Sequence, residues 1–268
     1  MSSEEQAGPL VRVEVAGGVR TLTLDSPHNR NALSRRLVAE LHDGLRGAEE
    51  DPDTRVVVLA ADGRAFCAGA DLAEASEGGS EDAGHALLAL LRTMLSLPQP
   101  VLARVHAPVR AGGIGLVTAA DLAIGAQEAT FAFTEARLGL TPAIISLPVL
   151  ERMPSRAAAQ AFLTGRTLTA PQAADAGLLT AAVAEDDLDA AIDEELDGLL
   201  RGSPQGLAET KRLLTAPLLE RLEADGPAMV ELSERLFASE EAATGMRAFL
   251  AREDPPWVAA QRRPGAGA

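Results

Sequence analysis

The chain has 268 residues, 47% of them hydrophobic and 24% charged, with a net charge of −15. Such a length suits one ordinary domain with a sizeable core and a smaller appendage, and the acidic balance argues against a nucleic-acid or anionic-membrane surface. Cys67 is the only cysteine, which excludes an intrachain disulfide and a cysteine-built zinc site and fits a reducing cytoplasm. The polar, acidic N-terminus does not read as a signal peptide, and no apolar run approaches the ~20 residues of a membrane span. Lys211 is the only lysine, so arginine must supply any positive charge that a polyanionic ligand needs.

Residues 10–15 and 20–24 are rich in β-formers and flank Gly17-Gly18, which predicts a hairpin. A polar turn from Asp25 to Asn31 leads to a helix capped by Ser34, with Leu37, Val38, Leu41 and Leu45 on one face. The run 55–60 reads as a buried strand followed by a turn at 62–71, and 76–82 as a flexible acidic loop. An apolar helix over 85–97 stops at Pro98. A second buried strand at 100–106 precedes a glycine turn at 111–113, a helix near 114–120 and short strands at 122–125 and 130–134. Alternating strands and helices with short connections predict an α/β spiral of βα units. Helical content rises after about 155, with a helix start at Ser203-Pro204. Amphipathic stretches at 217–238 and 240–252 end at Pro255-Pro256, and the tail from 264 reads as loose.

Two turns of small residues carry the chemistry. In the first, Phe66 to Leu72, the Ala70 N–H can meet an incoming oxygen while Gly69 allows close approach; the plain alternative is a strand-to-helix turn with Asp71 near the helix start. In the second, Ala111 to Gly115, the Gly112 N–H stands at a helix N-terminus, and the plain alternative is tight helix-on-sheet packing. A dinucleotide fingerprint fails here because Thr118 replaces its third glycine. Facing each other, the two turns would form a hole for an enolate oxygen. Glu135 follows the apolar stretch TFAFT, where a buried carboxyl has a raised pKa suited to proton transfer; the alternative is a surface pair with Arg137. The four histidines are scattered without a metal-ligand pattern, and no G-x-S-x-G elbow occurs.

The segments LDSPHNRNALS (24–34), VVVLAADGRAFCAGADL (56–72), AGGIGLVTAADLAIGA (111–126), FAFTEARLGLTP (131–142), LTGRTLTAPQAADAGLL (163–179) and GMRAFLAREDPPW (245–257) together resemble the crotonase superfamily, the enoyl-CoA hydratase/isomerase family. The resemblance implies a spiral of ββα units over 1–200 with a C-terminal helical trimerisation and capping region over 201–268. It also implies a homotrimer or homohexamer acting on acyl-CoA thioesters, with coenzyme A as part of the substrate and no separate cofactor or metal. The thioester oxygen would lie between the N–H groups of Ala70 and Gly112, with Glu135 as the proton-transfer group. Acyl-CoA contacts would come from Arg30, Ala32, Ala68, Asp71 and Leu72, and from Phe249 and Arg252 on a C-terminal helix that a neighbouring subunit supplies. A second glutamate, which activates water in the family's hydratases, falls at Gly115, and the glycine pair usual after Pro142 is replaced by Ala143-Ile144-Ile145-Ser146. The favoured expectation is an enoyl-CoA hydratase with Glu135 managing both water and proton. The alternatives are a Δ3-Δ2 enoyl-CoA isomerase using Glu135 as sole base, and a non-catalytic acyl-CoA-binding scaffold.

Overall fold

A hairpin opens the described fold: β1 (Val11–Ala16) and β2 (Val19–Leu24) pair antiparallel through Gly17-Gly18. The computed structural model describes residues 8–76 and 82–259, so most of the N-terminal decapeptide, the centre of the expected 76–82 loop and the expected loose tail lie outside the described residues. Helix α1 (Arg35–Glu50) begins where expected: the Ser34 hydroxyl accepts from the Leu37 N–H at 3.2 Å. Its apolar face buries Leu37, Val38, Leu41 and Leu45.

Strand β3 (Val56–Ala61) is buried on both faces, as a continuous apolar run in a parallel sheet requires. Short helix α2 (Leu72–Ser76) and α3 (Ala83–Ser96) follow, and α3 ends because Leu97 precedes Pro98 and is pushed out of helical conformation. Next come β4 (Val101–Val105), β5 (Val109–Arg110), α4 (Gly112–Ala119), β6 (Leu122–Ala126) and β7 (Thr130–Ala132). The chain continues through α5 (Ser146–Arg152), α6 (Ser155–Thr164), β8 (Leu168–Thr169), α7 (Ala170–Asp175), β9 (Ala181–Val183) and α8 (Leu188–Arg201). It ends in α9 (Pro204–Phe237), α10 (Glu240–Ala251) and α11 (Pro256–Ala259). The six-stranded sheet runs β1-β2-β3-β4-β6-β9, parallel from β2 onward, and β5, β7 and β8 form a smaller sheet. This is the expected α/β spiral.

The C-terminal helices differ from expectation in one respect. Ser203 caps a single 34-residue helix, α9, that runs unbroken through Pro217 and Pro227. Its Leu218, Leu222 and Val230 join the main core with Leu91, Phe66 and Phe131. Lys211 pins it down: the ammonium is 4% exposed, donates to the Met94 and Gln99 carbonyls at 2.8 and 3.0 Å, and pairs with Asp121 at 2.8 Å. Burial lowers its pKa and the Asp121 carboxylate opposes that shift.

Candidate active site

The site grows from how three loops are tied together. Asn31 is fully buried with φ 54°, a conformation that Asn tolerates better than most side chains. Its amide group donates to the Asp62 and Ala65 carbonyls at 2.8 and 2.9 Å and accepts from the Ser26 N–H at 2.7 Å. The Ala68 N–H then donates to Arg30 at 3.0 Å, and the Leu33 N–H to Gly69 at 2.8 Å. The segment 26–33 therefore fixes the first small-residue turn. Sequence reasoning quoted Asn31 without giving it this role.

The second turn is held against the first. The Arg110 N–H donates to the Cys67 carbonyl at 2.9 Å, and Val109 forms a parallel bridge with Cys67. Gly113 has no room for a side chain, since a Cβ there would lie 2.6 Å from Cys67 Cβ. A Cβ on Gly112 would lie 4.0 Å from the Ala70 nitrogen, so the two small-residue turns pack side by side. Gly112 is the first residue of α4, where N–H groups lack intrahelical partners and the helix dipole favours negative charge. Burial raises the Cys67 thiol to about 12, which makes it an inert packing group between the turns.

Ala70, Gly112 and Glu135 line one cavity of about 130 Å³, together with Ala68, Leu72, Thr134, Ile145, Ser233 and Phe249. A single water needs roughly 10–15 Å³ by this measure, so the space holds part of a chain molecule. An adjoining cavity shares Ala70, Gly112, Leu87, Ile144, Ser233 and Phe237. Glu135 starts a 3₁₀ helix (Glu135–Leu138) and is 9% exposed. Its Oε2 has no partner among the described residues, and burial pushes the carboxyl up from 4.5 to about 7. The surface pairing with Arg137 does not form, because Arg137 turns away to the Thr164 carbonyl.

The expected acyl-CoA contacts divide. Ala68, Leu72 and Phe249 reach the cavity that holds Glu135. Asp71 borders the adjoining one, but its carboxylate is engaged by Asn29 at 3.0 Å and by the Ala73 N–H at 3.0 Å at the start of α2. Ala32 is buried in the loop beside the turn, while Arg30 and Arg252 are exposed and outside the lining of both cavities. The chain's own α10 lies against the loop after Glu135 and brings Phe249 to the cavity. The close approach follows from Gly245, where a Cβ would lie 2.5 Å from the Leu138 carbonyl oxygen. Ser233 and Phe237 were missed, although with Val230 they lie at helical spacing on one face of α9.

Gly115 is the last element. A Cβ on it would lie 2.6 Å from Ile145 Cγ2 and 3.2 Å from Ile145 Cβ. Ile145, 3% exposed, thus fills the space into which a side chain at 115 would project.

Comparison with known proteins shows the family and the fold. The family model described as Enoyl-CoA hydratase/isomerase matches residues 14–260. A crystal structure of an enoyl-CoA hydratase from Mycobacterium avium has a TM-score of 0.87 and 48% identity, covering 94% of this chain and all of that one. The enoyl-CoA hydratase domain-containing protein 3, mitochondrial, of Danio rerio is 30% identical, covering 96% of this chain and 90% of its own. Carnitinyl-CoA dehydratase of Salmonella heidelberg is also 30% identical, over 90% of this chain and 95% of its own. Among the described residues, no helix is long and apolar enough to cross a membrane.

Proposed function

The chain belongs to the enoyl-CoA hydratase/isomerase family, and from that premise we propose that it adds water across the double bond of a 2-enoyl-CoA thioester, with Glu135 as its only proton-transfer side chain. The observation that supports the reading is a buried carboxyl, its Oε2 without a partner among the described residues, in one cavity with Ala70 and Gly112. The Ala70 and Gly112 N–H groups hold the thioester oxygen and stabilise the negative charge that develops on it, an effect worth about 10²–10³ in rate per donor. The ionised Glu135 takes a proton from water as the water oxygen bonds C3. The same carboxyl then delivers a proton to C2 of the enolate, and is ready for the next cycle. A pKa near the working pH suits a group that must both take and give.

A second reading is favoured by Ile145 against Gly115, which makes that wall apolar. There Glu135 moves a proton from C2 to C4 and converts a 3-enoyl-CoA into its 2-enoyl isomer without adding water. Incubating the enzyme with a 2-enoyl-CoA in ¹⁸O water separates the two: hydration places label at C3, and Glu135→Gln abolishes it. Absence of label with conversion of the 3-enoyl isomer rejects hydration, and binding without turnover of either thioester supports the scaffold. The reading includes a homotrimer or homohexamer, in which neighbours would cover apolar side chains such as Leu213 and Leu214, three-quarters exposed on α9. It also includes a reducing compartment such as the cytoplasm, which a single buried thiol suits.

A further inference from the structure

Gly112 and Gly115 lie three residues apart on α4, so a side chain at 115 would stand on the same face as the donor that holds the thioester oxygen. Ile145 occupies that place instead. It is β-branched and therefore stiff at χ1, almost fully buried, and anchored by its carbonyl, which accepts from the Val149 N–H at 3.1 Å as α5 begins. Leu91 seals the space behind, with its Cδ2 3.8 Å from the Cβ position of residue 115. The Gly115 carbonyl accepts from the Thr118 hydroxyl at 3.2 Å, inside the buried helix. Ile145 lines the same cavity as Glu135, so a bound acyl chain meets the carboxyl and this hydrocarbon wall together.

We infer that Ile145 sets how Glu135 divides its work between hydration and double-bond migration, by closing the α4 wall of the cavity against a second polar partner or an ordered water. The inference rests on the acyl-CoA reading above. An ordered water needs 2–4 polar partners, and the methyls of Ile145 offer none. Water near C3 is then held only by Glu135 and the groups on its side of the cavity. Hydration breaks a water O–H bond, forms the C3–O bond and places a proton on C2. Migration breaks a C2–H bond and forms a C4–H bond, with Glu135 carrying the proton. Both are balanced without an oxidant or co-reactant, and they differ only in whether a water stands at C3. A hydroxyl or a space in place of Ile145 gives that water a place.

The test compares wild type with Ile145→Val, Ile145→Thr and Ile145→Ala. Each is given a 2-enoyl-CoA and its 3-enoyl isomer in ¹⁸O water, and the ratio of C3 labelling to double-bond migration is read. Val keeps an apolar Cγ2 and is expected to leave the ratio within about twofold. Thr has nearly the same volume with a hydroxyl in the wall, and Ala leaves room for about one or two waters at roughly 30 Å³ each. Both are expected to raise the ratio at least about tenfold, a small part of the 10²–10⁴ that a positioned proton-transfer group contributes. A thermal-melting cycle with Gly115→Ala reports the pairing without activity: the substitution lowers Tm in wild type and less in the Ile145→Ala background. Equal losses in both backgrounds overturn the inference. So does an unchanged ratio in the Thr and Ala variants of an active enzyme, which leaves the parent reading standing. A wild type that turns over neither thioester overturns the parent reading, and the inference with it.

Discussion

Replacing Glu135 by Gln removes a charge from a place that penalises it, and the structure sets the size and sign of the effect. The carboxyl is 9% exposed, lacks a partner at Oε2, and is held at about 7 against an ordinary 4.5. A folded-state pKa above the unfolded one stabilises the fold at low pH. That contribution is complete below pH 4.5 and is lost as pH rises through 7. The shift of two to three units corresponds to about 3 kcal/mol at 1.36 kcal/mol per unit. Wild type is therefore expected to lose about 3 kcal/mol more stability than Glu135→Gln between pH 4.5 and pH 8, because the amide never ionises. Urea unfolding of both proteins at several pH values measures the difference, which cancels the other titrating groups common to both. Turnover should fall in the variant by about 10²–10⁴ while its high-pH stability rises. Parallel stability curves would refute the claim that the carboxyl is desolvated, and near-normal turnover would refute its catalytic role.

Three further outcomes are expected. Since Glu135 must be ionised to take the first proton, kcat/KM should rise with pH through a single transition near 7 and level off above it; a flat profile from pH 5 to 8 contradicts that role. Gly113→Ala places a Cβ 2.6 Å from Cys67 Cβ and should wedge the two donor turns apart, lowering kcat by about 10²–10³. A kcat within threefold of wild type, ~0.7 kcal/mol, would show that the turns are not held by this contact. Lys211→Ala leaves Asp121 partly buried with, among the described residues, only the Val101 N–H as a hydrogen-bond donor, and should destabilise the fold by about 3–5 kcal/mol in urea unfolding; a loss below about 1 kcal/mol contradicts the clamp.

Local rules made much of this chain legible. Ser34 caps α1, Pro98 limits α3, and the hairpin closes at Gly17-Gly18, each through a mechanism that acts within a few residues. The two small-residue turns, which pack side by side, were legible because each carries its own pattern after a strand. Contacts between distant segments were not. The empty place at Gly115 was visible in the sequence, but the residue that fills it lies thirty positions away and is an ordinary isoleucine in an apolar run. Nothing near Asp71 in the sequence pointed to Asn29, which engages its carboxylate across the loop. The packing of α10 on the loop after Glu135 was hidden too, because it rests on close approach of Gly245 to the Leu138 backbone, more than a hundred residues away.

The Lys211 clamp has a chemical consequence apart from stability. It withdraws the chain's one ε-amino group from solvent, where it is 4% exposed and bound to two carbonyls and a carboxylate. Every other basic side chain except histidine is a guanidinium, which stays protonated at any physiological pH and is a poor nucleophile. Acyl-CoA thioesters are themselves acylating agents, and amines are the groups they modify. A surface carried by arginine offers such a substrate no lysine to modify, so the folded chain is chemically inert at its side-chain amines toward the molecules proposed to pass through it.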